Sequence, residues 1–217
     1  MSRPNEIWDP LFTQQPNLLS NKGKILILFQ ELLDTKDNLT ETIKYIADID
    51  AYNAIANLLI STDDTGAKFC FTEFSNNKIP TFKAKKIWNP VLDPNKAITN
   101  DIKIGGSNPN NVLITGPNAG GKSTIIKSIT LSILLGQTFT ISSCEDCKFT
   151  PFSLINTYLN IPDHKGKESL FESEMKRAKN HINKLNKMPR SNLAFVVMDE
   201  IFSSTNPEEG MSGGFAI

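Results

Sequence analysis

Apolar residues near the N-terminus recur at helical spacing. Ile25, Leu28, Phe29 and Leu32 share one face, after a start rich in Pro and Gln. Leu39, Ile43, Ile46, Ala47, Ala54, Ile55 and Leu58 continue as the stripe of a long amphipathic helix. Two helices are therefore predicted over residues 1–62, packing on a neighbour through these stripes. The turn formers of STDDTG, residues 61–66, end the segment. The period then changes. AKFCFTEF places Phe69 and Phe71 at alternate positions, with Phe74 one slip later, which predicts a strand. NPVLDPNK is a Pro-flanked loop. NVLITG and LAFVVMD are short apolar runs with β-branched residues, and both predict buried parallel strands. Between them the spacing predicts a helix from Lys122 to about Leu135 and another from about Glu168 to Leu185. The second carries Phe171, Met175, Ala178, Ile182 and Leu185 as its packing stripe.

Strands alternating with helices predict an α/β domain over residues 63–217, with a mainly parallel sheet flanked by helices. Composition supports a packed chain. Of its 217 residues, 39% are hydrophobic and 21% charged, which suits a buried core. Lys plus Arg equals Asp plus Glu, 23 each, so no whole-chain field draws nucleic acid or an acidic membrane. No apolar run approaches the roughly 18 residues of a membrane span. MSRPNEIWDP lacks the apolar core of a signal peptide. A soluble intracellular protein is expected, with no membrane contact. Three cysteines, Cys70, Cys144 and Cys147, make no disulfide framework. Cys144 and Cys147 form a CxxC without a second one, and read as ordinary thiols rather than a zinc site.

The run between the two predicted strands carries chemistry. Gly116, Pro117, Asn118, Ala119, Gly120, Gly121, Lys122 and Ser123 satisfy G-x-x-x-x-G-K-[ST], and Thr124 follows. In such a loop successive backbone N–H groups turn inward on a polyphosphate, and glycines take the dihedrals that a Cβ would oppose. The helix that follows aims its N-terminal donors at the same phosphates. Lys122 supplies a point charge, and the Ser123 hydroxyl can ligate Mg²⁺. An apolar run leads in and an amphipathic run leads out, as the motif requires. The cofactors expected are ATP and Mg²⁺.

A phosphate loop of this kind needs a carboxylate at a neighbouring strand end. LAFVVMDE supplies Asp199 for Mg²⁺ and Glu200 to orient or deprotonate an attacking water. Alone, such a pair is a strand ending in a solvated turn. Downstream of the loop it points to a hydrolase, because a second acid is what water attack requires.

TGPNAGGKST followed by MDEIFSSTNPEEG resembles the ATPase domain of the MutS family of DNA mismatch-repair proteins. KKIWNPVL and AITNDIKI before the loop are similar to family segments. GKESLFESEMKRA resembles the family's signature segment, and IKYIADIDAYNAIA its long helix leading into the ATPase. The resemblance covers about residues 40–217 and is strongest over 112–210. It implies an ABC-type P-loop NTPase core, with residues 1–62 resembling the end of the lever region. It also implies ATP hydrolysis in DNA mismatch repair or recombination. The site would be shared by a homodimer or MutS-type heterodimer, each signature segment completing the other's ATP site. By that match Ser169 reaches the partner's γ-phosphate; on its own it reads as a helix N-terminal residue. Ser203, Ser204, Thr205 and Asn206 match the loop at the dimer seam; on their own they read as a polar turn. MSGGFAI looks like the Ser-Gly-Gly signature of ABC transporters, but it follows the acidic strand end and is read as the start of the next helix. The family pattern continues past Ile217 with a strand and a histidine, so a C-terminally truncated member is expected. DNA contacts are expected through other domains or partners. The family's aromatic near the adenine would fall near Ala97 and Ile98, so the resemblance gives little support for adenine stacking by this segment. Two other readings remain: an ATP-binding dimerisation module without efficient turnover, and an SMC- or transporter-type ABC fragment. The latter needs a Ser-Gly-Gly signature before residue 190, and there is none.

Overall fold

A computed structural model of the chain describes residues 22–62, 64–159, 170–202 and 206–216. The chain divides into two compact units, Met1–Ala54 and Ile55–Ile217. The first holds helix α1 (Lys22–Asp34) and most of helix α2 (Lys36–Ser61). Both helices form where the apolar spacing predicts them. No residue of α2 is buried, and Leu39, Ile43 and Ile46 of its expected packing stripe are exposed. Tyr45, Ile49 and Tyr52 lie off the stripe, and Asp50 and Asn57 lie on it, so spacing alone does not select a buried face.

The second unit is α/β. A five-stranded sheet contains β1 (Cys70–Phe74), β2 (Thr81–Ile87), β3 (Asn100–Gly105), β4 (Ile141–Ser142) and β5 (Asp146–Phe149), in the order β3-β2-β5-β1-β4. Only the β1–β5 pairing is parallel; β2–β3, β2–β5 and β1–β4 are antiparallel. A separate parallel pair joins β6 (Leu154–Tyr158) to β7 (Ala194–Met198). The expected mainly parallel sheet is thus corrected to a mixed, mostly antiparallel one. Partners far apart in the chain decide this: β1 meets β4 and β2 meets β5 across the intervening helix, beyond the reach of any local pattern, whereas a parallel pair needs a crossover. Helix α4 (Leu170–Asn186) supplies that crossover between β6 and β7.

Two local expectations also change. NVLITG forms no strand among the described residues, and Val112 and Leu113 stand exposed. A strand exists only within a ladder, and no described segment pairs with this one. In β1, Phe71 points to solvent, while Thr72 meets the Ser142 hydroxyl at 2.8 Å. The alternation of the phenylalanines marks the strand, and Cys70 and Thr72 rather than Phe71 take its inward positions.

Helix α3 (Lys122–Phe139) packs through Ile129, Ile133 and Gly136 on the inner face of the five-stranded sheet. Phe82, Ile87, Cys147 and Phe149 fill that face, each at most 2% exposed. Gly136 is there for closeness: a Cβ would lie 2.8 Å from the Phe149 ring and 3.0 Å from the Thr72 hydroxyl. Polar ties fix the helix as well. The Ser132 and Ser143 hydroxyls meet at 2.8 Å, and Ser143 donates to the Trp88 carbonyl at 3.0 Å. Gln137 clamps Phe152 with two bonds, accepting its N–H at 2.8 Å and donating to its carbonyl at 3.0 Å. Phe152 in turn touches Phe195 of β7. The helix that carries the phosphate loop is therefore held to both sheets. The three cysteines lie at this core as free thiols, with the sulfurs of Cys70 and Cys144 3.7 Å apart. Hydrogen bonding to its two neighbours, then burial, push the Cys144 thiol up, which makes it inert.

Candidate phosphate-binding site

The loop before α3 is built by a turn and two left-handed residues. Gly120 donates to the Pro117 carbonyl at 3.1 Å, closing a tight turn over Asn118 and Ala119. Gly121 is the N-cap residue of α3, with φ 85, and no side chain caps the helix. The first N–H groups of a helix have no partner inside it, so these donors stay open toward the loop. The second left-handed position is Ala119, φ 62, and not a glycine. A Cβ-bearing residue there costs about 1–2 kcal/mol. The expectation that glycines take the unusual dihedrals thus holds at Gly121 only. Gly120 serves packing instead: a Cβ would sit 2.9 Å from the Pro117 carbonyl oxygen and 3.3 Å from its ring. Gly116 is under no such constraint, since a Cβ there meets only the Lys122 side chain at 3.9 Å.

Lys122 folds back over this loop. Its ammonium donates to the carbonyls of Gly116, at 2.9 Å, and Pro117, at 2.8 Å. These neutral acceptors hold the charge beside the open donors of the helix. Ser123 is half-buried behind it.

The acidic strand end is held by β6. The N–H of Asp199 donates to the Tyr158 carbonyl at 2.9 Å, extending the β6–β7 ladder by one bond. Tyr158 is buried, with the Arg177 guanidinium 5.0 Å from its ring centre. The chain then turns sharply. Glu200 and Phe202 both have left-handed backbone, φ 51 and 55. That turn brings Glu200 to the loop: Asn118, Ala119, Gly120, Gly121, Lys122, Ser123, Thr124 and Glu200 line one open cavity of about 270 Å³. Gly116, Pro117 and Asp199 are not among its walls. The two acids therefore separate, Glu200 on the cavity and Asp199 half-buried one residue back.

The cavity fits a magnesium-bound polyphosphate by its donor set. Uncapped helix donors and one ammonium suit an anion, and the Ser123 hydroxyl is a hard oxygen ligand of the kind Mg²⁺ takes, while the Asp199 carboxylate, the other such ligand, lies one residue behind the cavity wall.

Ser169, Ser203, Ser204 and Thr205 lie outside the described residues. Asn206 is described, and its side-chain oxygen accepts the Glu209 N–H at 2.9 Å. It caps helix α5 (Pro207–Ala216), which includes most of MSGGFAI. The inner face of α4 is Glu174, Ala178 and His181, all buried, while Met175 of the expected stripe is exposed. Burial, then nearby Lys184, hold the His181 imidazole below its ordinary range. Two residues at the site escaped the sequence reading. Phe202 is only 4% exposed, and a Cβ on Gly213 would lie 2.7 Å from its ring. A lone Phe in a polar loop and a Gly in a small-residue helix carry no pattern that would pair them.

Residues 112–217 match the family model MutS domain V. The chain is 31% identical, over 95% of its length, to an Endonuclease MutS2 of Lactobacillus gasseri, and covers 25% of that protein. It is 26% identical, over 98% of its length, to the DNA mismatch repair protein MSH3 of Meyerozyma guilliermondii, covering 22% of it. An Endonuclease MutS2 of Lactobacillus helveticus is 29% identical over 78% of this chain. The chain spans about a quarter of the length of these curated relatives. The loop, the acidic strand end and these matches together make the chain a member of the MutS family.

Proposed function

We propose that the chain binds Mg·ATP at the loop of residues 116–124 and hydrolyses it to ADP and phosphate. The observation that carries this is the shared cavity of Asn118–Thr124 and Glu200. A hydrolase must set a base opposite the phosphates, and phosphoryl transfer is otherwise mainly positioning and electrostatics. The uncapped N–H groups of α3 receive the phosphate oxygens. Lys122 leaves its two carbonyls for the β- and γ-phosphates, exchanging neutral acceptors for charged ones, which bind about twice as strongly. When bound by Ser123 and Asp199, Mg²⁺ offsets the charge on the phosphates. Glu200 takes a proton from water as its oxygen bonds to the γ-phosphorus and the bond to the β–γ bridging oxygen breaks. A positioned base contributes about 10²- to 10⁴-fold.

Family membership supports the rest of the reading. Two subunits, alike or of MutS-type partners, complete each other's sites through Ser169 and the loop Ser204, Thr205 and Asn206. The setting is DNA mismatch repair or recombination, with DNA held by other domains or partners. Among the described residues no helix is long and apolar enough to cross a membrane.

The test is Mg·ATP binding, turnover and self-association of the wild type, Lys122→Ala and Glu200→Gln. Lys122→Ala should weaken binding at least tenfold. Glu200→Gln should keep binding, abolish turnover and prolong an ATP-dependent dimer. Binding without turnover in the wild type selects the dimerisation module instead.

A further inference from the structure

The acid on the cavity wall is followed, two residues on, by an anchored aromatic ring. Phe202 is buried, although it sits in a turn rather than in a strand or helix. Its ring has two neighbours on different elements. Phe171, the second residue of α4, meets it edge-on, with ring centres 5.9 Å apart and an interplanar angle of 62°. On α5, Gly213 offers bare backbone. A Cβ there would stand 2.7 Å from ring atom Cε2 and 2.8 Å from Cδ2, well inside the 3.4 Å where ordinary contact begins. The ring therefore has little room to move toward α5, and its edge bears on the first turn of α4.

The backbone between ring and acid is also constrained. Glu200 and Phe202 both hold left-handed dihedrals, with Ile201 between them. Such dihedrals persist in residues bearing a Cβ only when the surroundings over-determine them. At Phe202 the packed ring supplies that determination. With only Ile201 between anchor and carboxylate, a shift of the ring passes to Glu200, and a misplacement of about 1 Å can cost about a hundredfold in rate.

We infer that Phe202 is a positioning residue: it sets the Glu200 carboxylate over the phosphate loop and ties its placement to the first turn of α4. This rests on the proposal that the site hydrolyses ATP. Movement at the start of α4, on this account, reaches Glu200 through two touching rings. Phe202 acts on the reaction only through Glu200, since it does not line the cavity.

The experiment uses the full chain and compares wild type with Gly213→Ala, Phe202→Leu and the double variant. Three quantities are read: Mg·ATP affinity, steady-state hydrolysis, and hydrogen exchange over residues 170–174 and 198–202. Gly213→Ala pushes the ring and should lower kcat about 10- to 100-fold with KM within about threefold. It should also speed exchange in the first turn of α4. Adding Phe202→Leu gives space back beside Ala at 213, so the double variant should recover kcat to within about threefold of the Phe202→Leu variant. A drop in melting temperature with kcat unchanged overturns the inference, as does a kcat loss that the double variant does not recover. If Gly213→Ala fails to fold, Phe171→Leu perturbs the ring from the other side, and unchanged kcat and exchange at 198–202 overturn the inference. If the wild type binds Mg·ATP without turnover, hydrolysis is lost as a reading, and exchange alone decides the coupling. Unchanged exchange over 170–174 in Gly213→Ala then refutes it, and faster exchange supports it.

Discussion

Replacing the three glycines of the phosphate loop one at a time should give three different results. At Gly120 an added Cβ lies 2.9 Å from the Pro117 carbonyl oxygen and 3.3 Å from two ring carbons of that proline. The obstructing oxygen is backbone, and it already accepts the Gly120 N–H at 3.1 Å. Relief of the overlap opens this turn. Loss of one hydrogen bond costs about 1 kcal/mol and forced overpacking about 1–3 kcal/mol. The sum, about 2–4 kcal/mol, is charged to the binding-competent loop, so Gly120→Ala should weaken Mg·ATP binding roughly 30- to 1,000-fold. At Gly121 there is open space but φ is +85, so only backbone strain of about 1–2 kcal/mol applies, or roughly 5- to 30-fold. At Gly116 the Cβ makes an ordinary 3.9 Å contact with the flexible Lys122 side chain, and affinity should stay within about threefold. The loop glycines are all exposed, so melting temperatures should hardly move. Titration with a fluorescent ATP analogue, checked by calorimetry, reads all three. Equal losses at Gly116 and Gly120, or wild-type affinity in Gly120→Ala, would refute the reasoning.

Phe149→Ala removes the ring that Phe74, Phe82, Phe152 and Gly136 all touch. It should destabilise by about 3–5 kcal/mol and lower the melting temperature by about 6–20 °C in a thermal melt. His181 gives a pH dependence of known sign. Its folded pKa lies below the unfolded value of 6.5, so the unfolded chain takes the proton first, and stability falls as pH drops below about 6.5. Melts between pH 7.5 and 5.5 should show a steeper loss in the wild type than in His181→Gln. Asn206→Ala removes the cap on the Glu209 N–H and should cost about 0.5–2 kcal/mol, seen as faster hydrogen exchange over 207–210. If Asn206 also serves a dimer seam, ATP-dependent self-association falls with it; if the cap is its whole role, association is unchanged.

The phosphate loop, the acidic strand end and the helices were legible in the sequence because each is set by local rules. G-x-x-x-x-G-K-S fixes a turn and a helix start within eight residues, and α3 begins at Lys122 as that motif requires. Alternation and 3.6-residue spacing marked β1, α3 and α4 to within a few residues. What spacing could not decide was which face or partner each element takes. Among the described residues NVLITG has strand composition and no ladder, β1 turns Phe71 outward, and Met175 gives way to Glu174 on α4. Pairing and facing depend on residues far along the chain, whose arrival no local pattern encodes. The sheet became mostly antiparallel for the same reason. At the site, the sequence paired Glu200 with the loop by motif alone. The tertiary structure lines one cavity with both, and it packs Phe202 of the same turn against Gly213 of α5, a contact set by shape complementarity rather than by any motif.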